Sequence, residues 1–220
     1  MVAIDGPTAA GKSTVARELA RRLGYAYLDT GAMYRTVALA AQRRGTDLSD
    51  SEALTRLARG LAIEFTSAAD GGRVLADGED VTDAIRSPEI SEASSRISVI
   101  PGVRDAMVAR QRVLAAAGAV VMEGRDIGTV VLPDAEVKIF LTASLEARAA
   151  RRHAELAARG VAVGLEEVRR QVADRDRRDE TRAHSPLRPA PDAVTVDTTD
   201  LTVEEAIAAV LDLVRRRTGA

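Results

Sequence analysis

Gly6-Pro7-Thr8-Ala9-Ala10-Gly11-Lys12-Ser13-Thr14 decides how this chain reads. The run fits G-x-x-x-x-G-K-[ST], a phosphate-binding loop. A short apolar segment, Val2-Ala3-Ile4, precedes it. A helical pattern follows, with Val15, Leu19 and Leu23 on one face and Arg17, Glu18, Arg21 and Arg22 mostly off it. The loop therefore lies between a buried strand and a helix N-terminus. Gly6 and Gly11 let the backbone turn where a side chain would clash. Successive backbone N–H groups then cradle phosphate oxygens, and the helix dipole adds positive potential. Lys12 is placed to reach the outer phosphates and the Ser13 hydroxyl to help hold Mg²⁺.

Bulk properties narrow the field. The chain has 220 residues, enough for one good core with a small insertion. Hydrophobic residues make up 46% and charged residues 29%, a globular composition. No apolar run approaches the roughly 18 residues of a membrane span. The first strand begins at once, so no leader peptide is expected and the cytoplasm is the expected location. There is no cysteine, which excludes disulfides and thiolate metal sites. The net charge is −2, so no global basic field draws the chain to nucleic acid. Three tyrosines and two phenylalanines offer little for stacking on bases. Only Lys12 and Lys138 are lysines among 31 basic residues. The rest are arginines, suited to planar, bidentate phosphate recognition.

Along the chain, Tyr25-Ala26-Tyr27-Leu28 reads as a second strand. Thr30 is expected to cap the helix that follows, which carries Met33, Val37, Leu39 and Ala40 inward and stops near Gly45. Arg35 lies about a turn into that helix, and spacing alone leaves it equally a surface arginine or a phosphate clamp. Between Leu61 and Ser95 the texture becomes β-rich. Leu61–Phe65 and Arg73–Ala76 flank Asp70-Gly71-Gly72, a hairpin signal, and Asp77-Gly78 suggests another tight turn. Ser87-Pro88-Glu89 opens a short helix, with a serine cap and proline at its first position. Pro101-Gly102 breaks the chain before a helix from Val103 to about Ala116.

Gly118–Glu123 is a continuous apolar run, as in a parallel strand buried on both faces. Carboxyl ends of strands in such sheets face the ligand crevice, so Arg125 and Asp126 are expected to hang into a site. Val137–Leu141 and Val194–Val196 are the remaining core strands. Ser144 caps a helix to about Arg159 that carries Arg148, Arg151 and Arg152. The next helix, from about Leu165, ends in the mixed-charge run Asp174–Arg182, and Val203 to about Arg217 closes the chain. Five strands alternating with helices predict a three-layer α/β sandwich.

In these blocks the chain resembles the bacterial cytidylate kinases of the nucleoside monophosphate kinase family. The resemblance covers essentially the whole chain. It rests on the phosphate loop, on Leu28-Asp29-Thr30-Gly31-Ala32-Met33-Tyr34-Arg35, and on Glu123-Gly124-Arg125-Asp126-Ile127-Gly128-Thr129-Val130-Val131. Pro133-Asp134-Ala135 and Arg175-Asp176 through Asp179 to Arg182 complete it. The resemblance implies a P-loop NTPase fold with a five-stranded parallel sheet ordered 2-3-1-4-5. It implies a kinase core over 1–60 and 96–220, a monophosphate-binding insertion at 61–95, and a lid around 153–164. The implied reaction is transfer of the ATP γ-phosphoryl group to CMP or dCMP, with Mg²⁺ accompanying ATP. The expected partners are these small molecules alone, and the expected state is a monomer.

Residue roles carry over by position. Gly6 through Thr14, with Arg151 and Arg152 from the lid, would bind ATP, and Ser13 would touch the metal. Arg35 and Arg125 would clamp the acceptor phosphate, beside Thr30, where family members often have serine. Ser95, Arg104 and Asp126 would surround cytosine, and Arg175 and Asp179 the pentose and phosphate. Lys12, Arg125, Arg35 and Arg175 would carry the catalysis. Asp126 can accept from the cytosine N4 amino group, while Arg104 can donate to N3 and O2. The acceptor is a phosphate oxygen, already anionic, so no general base is required. Two other readings remain. One is a P-loop kinase for a metabolite hydroxyl such as shikimate, with Asp29 as base. The other is a nucleotide-dependent switch. The arginine-rich acceptor side, with Arg35, Arg125 and Arg175, favours a phosphate acceptor over the first. A switch would hydrolyse slowly and keep a partner surface, and the sequence marks no exposed apolar patch.

Overall fold

The structure is a computed structural model that describes residues 1–66 and 72–219. It divides into two compact units, one formed by Met1–Tyr27 with Gly118–Ala220 and the other by Leu28–Ala117.

In the first unit, β1 (Val2–Asp5) is buried at every position. It runs parallel to β6 (Val120–Gly124) and to β7 (Val137–Thr142), which in turn runs parallel to β8 (Val194–Asp197). With β2 (Ala26–Asp29), which crosses the boundary between the units, these strands form a sheet ordered β2-β6-β1-β7-β8. Counted among themselves, that is the expected 2-3-1-4-5. The sheet strands are apolar because helices cover them. Helix α1 (Lys12–Leu23) buries Val15, Ala16, Leu19 and Ala20. Helix α8 (Val203–Thr218) buries Ile207, Val210 and Val214. Both faces join one core with Val2, Ile4, Val121, Ile139 and Leu141. Helix α8 begins with a full capping box, Thr202 and Glu205 each bonding the other's backbone N–H.

Helices α6 (Leu145–Ala158) and α7 (Leu165–Thr181) pack against each other. A small cluster of Leu156, Val168 and Val172, joined by Val161 and Val163, pins the chain between them. The first residues of the expected lid, 153–158, are thus the end of α6.

The second unit holds α2 (Thr30–Arg43), α3 (Ser51–Gly60), α4 (Pro88–Ile97), α5 (Pro101–Ala115) and a three-stranded antiparallel sheet. Its strands are β3 (Ile63–Thr66), β4 (Arg73–Ala76) and β5 (Glu79–Asp80). Asp70 and Gly71 of the expected hairpin apex lie outside the described residues. Between β4 and β5, Asp77 and Gly78 both take positive φ, 49° and 84°, as a two-residue hairpin turn of this sequence requires. The unit is wider than the β-rich stretch at 61–95. Met33, Val37, Leu54, Leu57, Val74, Ile85, Ile97, Val103 and Met107 share one core, so α2, α3 and α5 fold together with the strands. Helices α3 and α5 meet at Gly102, where a Cβ would lie 2.4 Å from Thr55 Oγ1.

Local corrections have local causes. Thr30 is the first residue of α2 and not its cap. Asp29 caps it, its Oδ1 accepting the Ala32 N–H at 2.9 Å. Ala40 is only partly buried, while Met33, Val37 and Leu39 face the core. Pro101 starts α5 and does not interrupt the chain, because its missing N–H costs nothing at the first helical position. The serine cap of α4 is present, with Ser87 Oγ accepting from Ile90 N at 3.2 Å.

Candidate active site

The phosphate loop leaves β1 at Gly6. A Cβ there would lie 1.9 Å from the Leu141 carbonyl oxygen of the neighbouring strand, and φ is +150°, so only glycine fits. Ala9 and Gly11 also take positive φ, 57° and 88°, curling the loop before α1 begins at Lys12. Lys12 is only 6% exposed, and its Nζ donates to the Pro7 carbonyl at 2.6 Å. Burial, with Arg125 beside it, pulls the ammonium down to about 7. Ser13 and Thr14 are exposed on the first turn of α1.

Arg125 and Asp126 follow the carboxyl end of β6. Arg125 Nε donates to Asp179 Oδ2 on α7 at 2.8 Å. Burial pushes the Asp179 carboxyl up, yet Arg125, Arg175 and Arg182 outweigh it and hold it below the usual carboxylate range. Arg175 also acts on Lys12. Arg182 stands between two carboxylates, 3.6 Å from Asp126 Oδ1 and 3.9 Å from Asp179 Oδ1. The first unit thus gathers Lys12, Arg125, Asp126, Arg175, Asp179 and Arg182 into one alternating charge cluster. Such a cluster stores positive potential that an incoming phosphate can engage.

Further contacts frame the loop. Asp176 on α7 accepts the Thr8 N–H through Oδ1 at 3.1 Å and pairs with Arg148 of α6 through Oδ2. Arg148 also donates to the Thr8 carbonyl at 3.2 Å and to the Ala143 carbonyl at 2.9 Å. Arg151 donates to Thr198 Oγ1 at 3.0 Å and to the Thr198 carbonyl at 2.5 Å. Thr198 Oγ1 bonds the carbonyls of Thr142 at 3.0 Å and Ala10 at 3.4 Å, which links Arg151 to the loop through one threonine. Arg152 pairs instead with Glu155, at 2.8 Å along α6.

The remaining expected residues belong to the second unit. Arg35 Nη2 donates to Asp29 Oδ2 at 2.7 Å, and its buried Nε has no hydrogen-bond partner. Burial raises Asp29, but Arg35 and the Ala32 N–H win and hold it below the usual carboxylate range. A carboxylate so held is a poor general base, which weighs against a hydroxyl-phosphorylating reading. Thr30 and Ser95 are buried. Arg104 is buried too, with Nη1 donating to the Ser98 carbonyl at 3.2 Å and its guanidinium 5.8 Å from the Tyr34 ring centroid. Ser98 Oγ in turn donates to the Ser95 carbonyl at 2.8 Å, so Ser95 and Arg104 share one short network.

Sequence reasoning passed over Asp5, Arg148, Asp176, Arg182 and Thr198 as site residues. Asp5 carried a signal, an acid closing an otherwise apolar buried strand. Asp176 and Arg182 both stood in the quoted mixed-charge run, and Arg148 on the helix that carries Arg151 and Arg152. Thr198 had none, since its partners are remote in the chain. Among the described residues, no group of three or more His, Asp or Glu side chains could hold a metal ion. The exposed Ser13 hydroxyl next to Lys12 suits an ion that arrives on a nucleotide.

A family model described as cytidylate kinase matches residues 2–216. A cytidylate kinase of Geobacillus kaustophilus (strain HTA426) is 53% identical over 218 residues, covering 99% of this chain and 97% of that protein. One from Pelotomaculum thermopropionicum is 55% identical over 207 residues, covering 94% and 92%. In Synechococcus sp. (strain JA-3-3Ab), a bifunctional pantoate ligase/cytidylate kinase is 50% identical across 100% of this chain, which spans 42% of that longer protein. A shikimate kinase structure from Acinetobacter baumannii superposes with a TM-score of 0.51 at 17% identity, covering 99% of this chain and 93% of that one, which speaks to fold alone.

Proposed function

The chain belongs to the cytidylate kinase family, and from that premise we propose how its residues divide the work of moving the ATP γ-phosphoryl group to CMP or dCMP. The reaction class is that of a nucleoside monophosphate kinase, yielding ADP and a cytidine diphosphate. The observation that carries the assignment of roles is the buried Lys12 ammonium at the phosphate loop, set within a cluster that also holds Arg125 and Arg175.

On this reading the backbone of Gly6 through Thr14 cradles the donor phosphates. Lys12, whose Nζ rests on the Pro7 carbonyl, takes its full charge from them and follows the γ-phosphoryl group as negative charge shifts. Ser13 would hold Mg²⁺, which would neutralise charge on the donor phosphates. Arg125 exchanges part of its contact with Asp179 for the acceptor phosphate, with Arg175 alongside. Arg35 engages the acceptor phosphate through its guanidinium, and Thr30 offers a hydroxyl there. Asp179 faces the pentose. Asp126 accepts from cytosine N4, while Arg104 and Ser95 serve N3 and O2. Uracil would set a carbonyl against the carboxylate and an N–H against the guanidinium. Mismatches of that kind discriminate by up to about 10⁴-fold. Arg151 holds the loop side of the donor site through Thr198, and Arg152 leaves Glu155 for the donor phosphates. ATP and CMP or dCMP are then the only partners, and the enzyme works as a cytoplasmic monomer without nucleic acid or membrane.

The test is ADP release with ATP against a panel of CMP, dCMP, UMP, AMP and shikimate. CMP-dependent ADP formation is expected. Turnover with shikimate, or ATP hydrolysis indifferent to any acceptor, would overturn the reading.

A further inference from the structure

One buried acid has no part in the mechanism above. Asp5 is the last residue of β1 and is 3% exposed. Its Oδ1 accepts the Ile127 N–H at 2.8 Å and its Oδ2 accepts the Gly128 N–H at 2.7 Å. Those two amides open the turn Ile127–Val131, which is wound as a π-helix. Single π turns are rare and recur at functional positions. The first amides of any helical turn lack partners within it, and here water has no access. Gly128 leaves little room for a side chain, since a Cβ would lie 3.2 Å from the Lys138 side chain and 3.4 Å from Asp5 Oδ2.

Position in the chain gives this contact its meaning. Gly6, the start of the phosphate loop, directly follows Asp5. Asp126 directly precedes Ile127. One carboxylate therefore joins the strand end that launches the phosphate loop to the turn that presents Arg125 and Asp126. Burying a carboxylate is costly, and a fold that needed only to fill this space would use an apolar or amide side chain. Asparagine has the same shape but a single oxygen. It would set its NH₂ against one of the two N–H groups. Only a carboxylate satisfies both.

We propose that Asp5 is a positioning residue for the acceptor nucleotide, holding the Arg125–Asp126 turn in register with the phosphate loop by accepting the Ile127 and Gly128 amides together. The proposal rests on the reading that Arg125 and Asp126 serve the acceptor. It separates two effects that a structural residue would mix: the acceptor side depends on Asp5, whereas ATP binding by the loop does not.

The experiment compares the parent protein with Asp5→Asn and Asp126→Ala. Steady-state rates are taken with CMP and UMP varied at saturating ATP, then with ATP varied at saturating CMP. Losing one hydrogen bond to a charged acceptor predicts a fall in kcat/KM for CMP of about 10- to 100-fold in Asp5→Asn. The KM for ATP should stay within about three-fold, and the CMP-over-UMP ratio should narrow. Parity with the parent on CMP, or an equal loss of ATP and CMP affinity, overturns the proposal. If Asp126→Ala keeps full selectivity while Asp5→Asn still depresses kcat/KM for CMP, the base-reading role of Asp126 falls and the proposal for Asp5 stands. A measurement on the parent needs no variant. The Ile127 and Gly128 amide proton shifts should move together as Asp5 is protonated in an NMR pH titration, and independent behaviour overturns the contact.

Discussion

Asp176 Oδ1 accepts the backbone N–H of Thr8 at 3.1 Å, fastening helix α7 to the tip of the phosphate loop. Because Asp176 is also paired with the buried Arg148, the loop is tied to both helices that carry the remaining cations.

That tie can be broken from one side or removed whole. Arg148→Met leaves the buried Asp176 charge unpaired, and the expected loss of stability is about 3 kcal/mol. Replacing both residues, Arg148→Met with Asp176→Leu, should recover much of that loss, since no charge is left stranded. Urea unfolding of the three proteins decides the point. The KM for ATP should rise in both variants, because the Thr8 amide loses its acceptor or the loop its anchor. An unchanged KM would reduce the clasp to a structural contact.

If Lys12 meets the donor phosphates as proposed, ATP binding should take up protons. Its ammonium is pulled to about 7 by burial, then by Arg125 and Arg175, against the opposing pull of Glu123 and Asp179. At pH 8 it is therefore mostly neutral until a polyphosphate arrives and raises it again. Calorimetry at pH 8 in buffers of different ionisation enthalpy should show uptake of about one proton per ATP. Lys12→Ala should abolish that uptake. The same depressed value makes the nucleotide-free protein gain stability as pH rises from about 7 toward 10.5.

Lys12→Ala and Arg125→Ala should each lower kcat by about 10²-fold or more while the protein stays folded. Far-ultraviolet circular dichroism and single-turnover kinetics separate the two outcomes. A variant with near-parental kcat removes that residue from the catalytic set.

Asp126→Ala should cost selectivity more than speed. The ratio of kcat/KM for CMP to that for UMP is expected to collapse by about 10²-fold, within the range that mispaired buried polar groups produce. Turnover at saturating CMP should suffer less. Equal losses on both substrates would assign Asp126 to support and not to base reading.

Asp5 should mark the stability of the protein with a pH signature. Burial raises its carboxyl to about 6, against the two amides and Lys12, which lower it, and with Asp126 adding to the rise. The folded state then binds more protons than the unfolded state between about pH 4 and 6, so this group lowers stability as pH rises through that window. The cost at pH 7 is about 3 kcal/mol. Relative to the parent, Asp5→Asn should therefore become more stable by about that amount between pH 4 and pH 7. Denaturant unfolding at a series of pH values measures it, and a flat difference would contradict it.

Much of the fold was legible because its signals are local. Alternation of apolar runs with amphipathic stretches marked the five sheet strands and their helices, and Ser87-Pro88 announced α4 with its cap. Where the reading slipped, two local choices competed. Thr30 and Asp29 are both good caps, and Asp29 won because the chain turns one residue earlier and its carboxylate reaches the Ala32 amide. The extent of the second unit was not legible, because no composition shift marks α2, α3 and α5 as sharing a core with a three-stranded sheet.

From sequence alone came the strand, the phosphate loop, the helix behind it and the motif blocks that name the family. These depend on glycine stereochemistry and on backbone amides a few residues apart. Only the tertiary structure decided what each charged side chain does. It set Asp5 on amides 122 and 123 positions away, Asp176 on one 168 positions away, and Arg151 on Thr198. A buried charge takes whichever partner the packing brings within 3 Å or so, and no spacing rule along the chain encodes that choice.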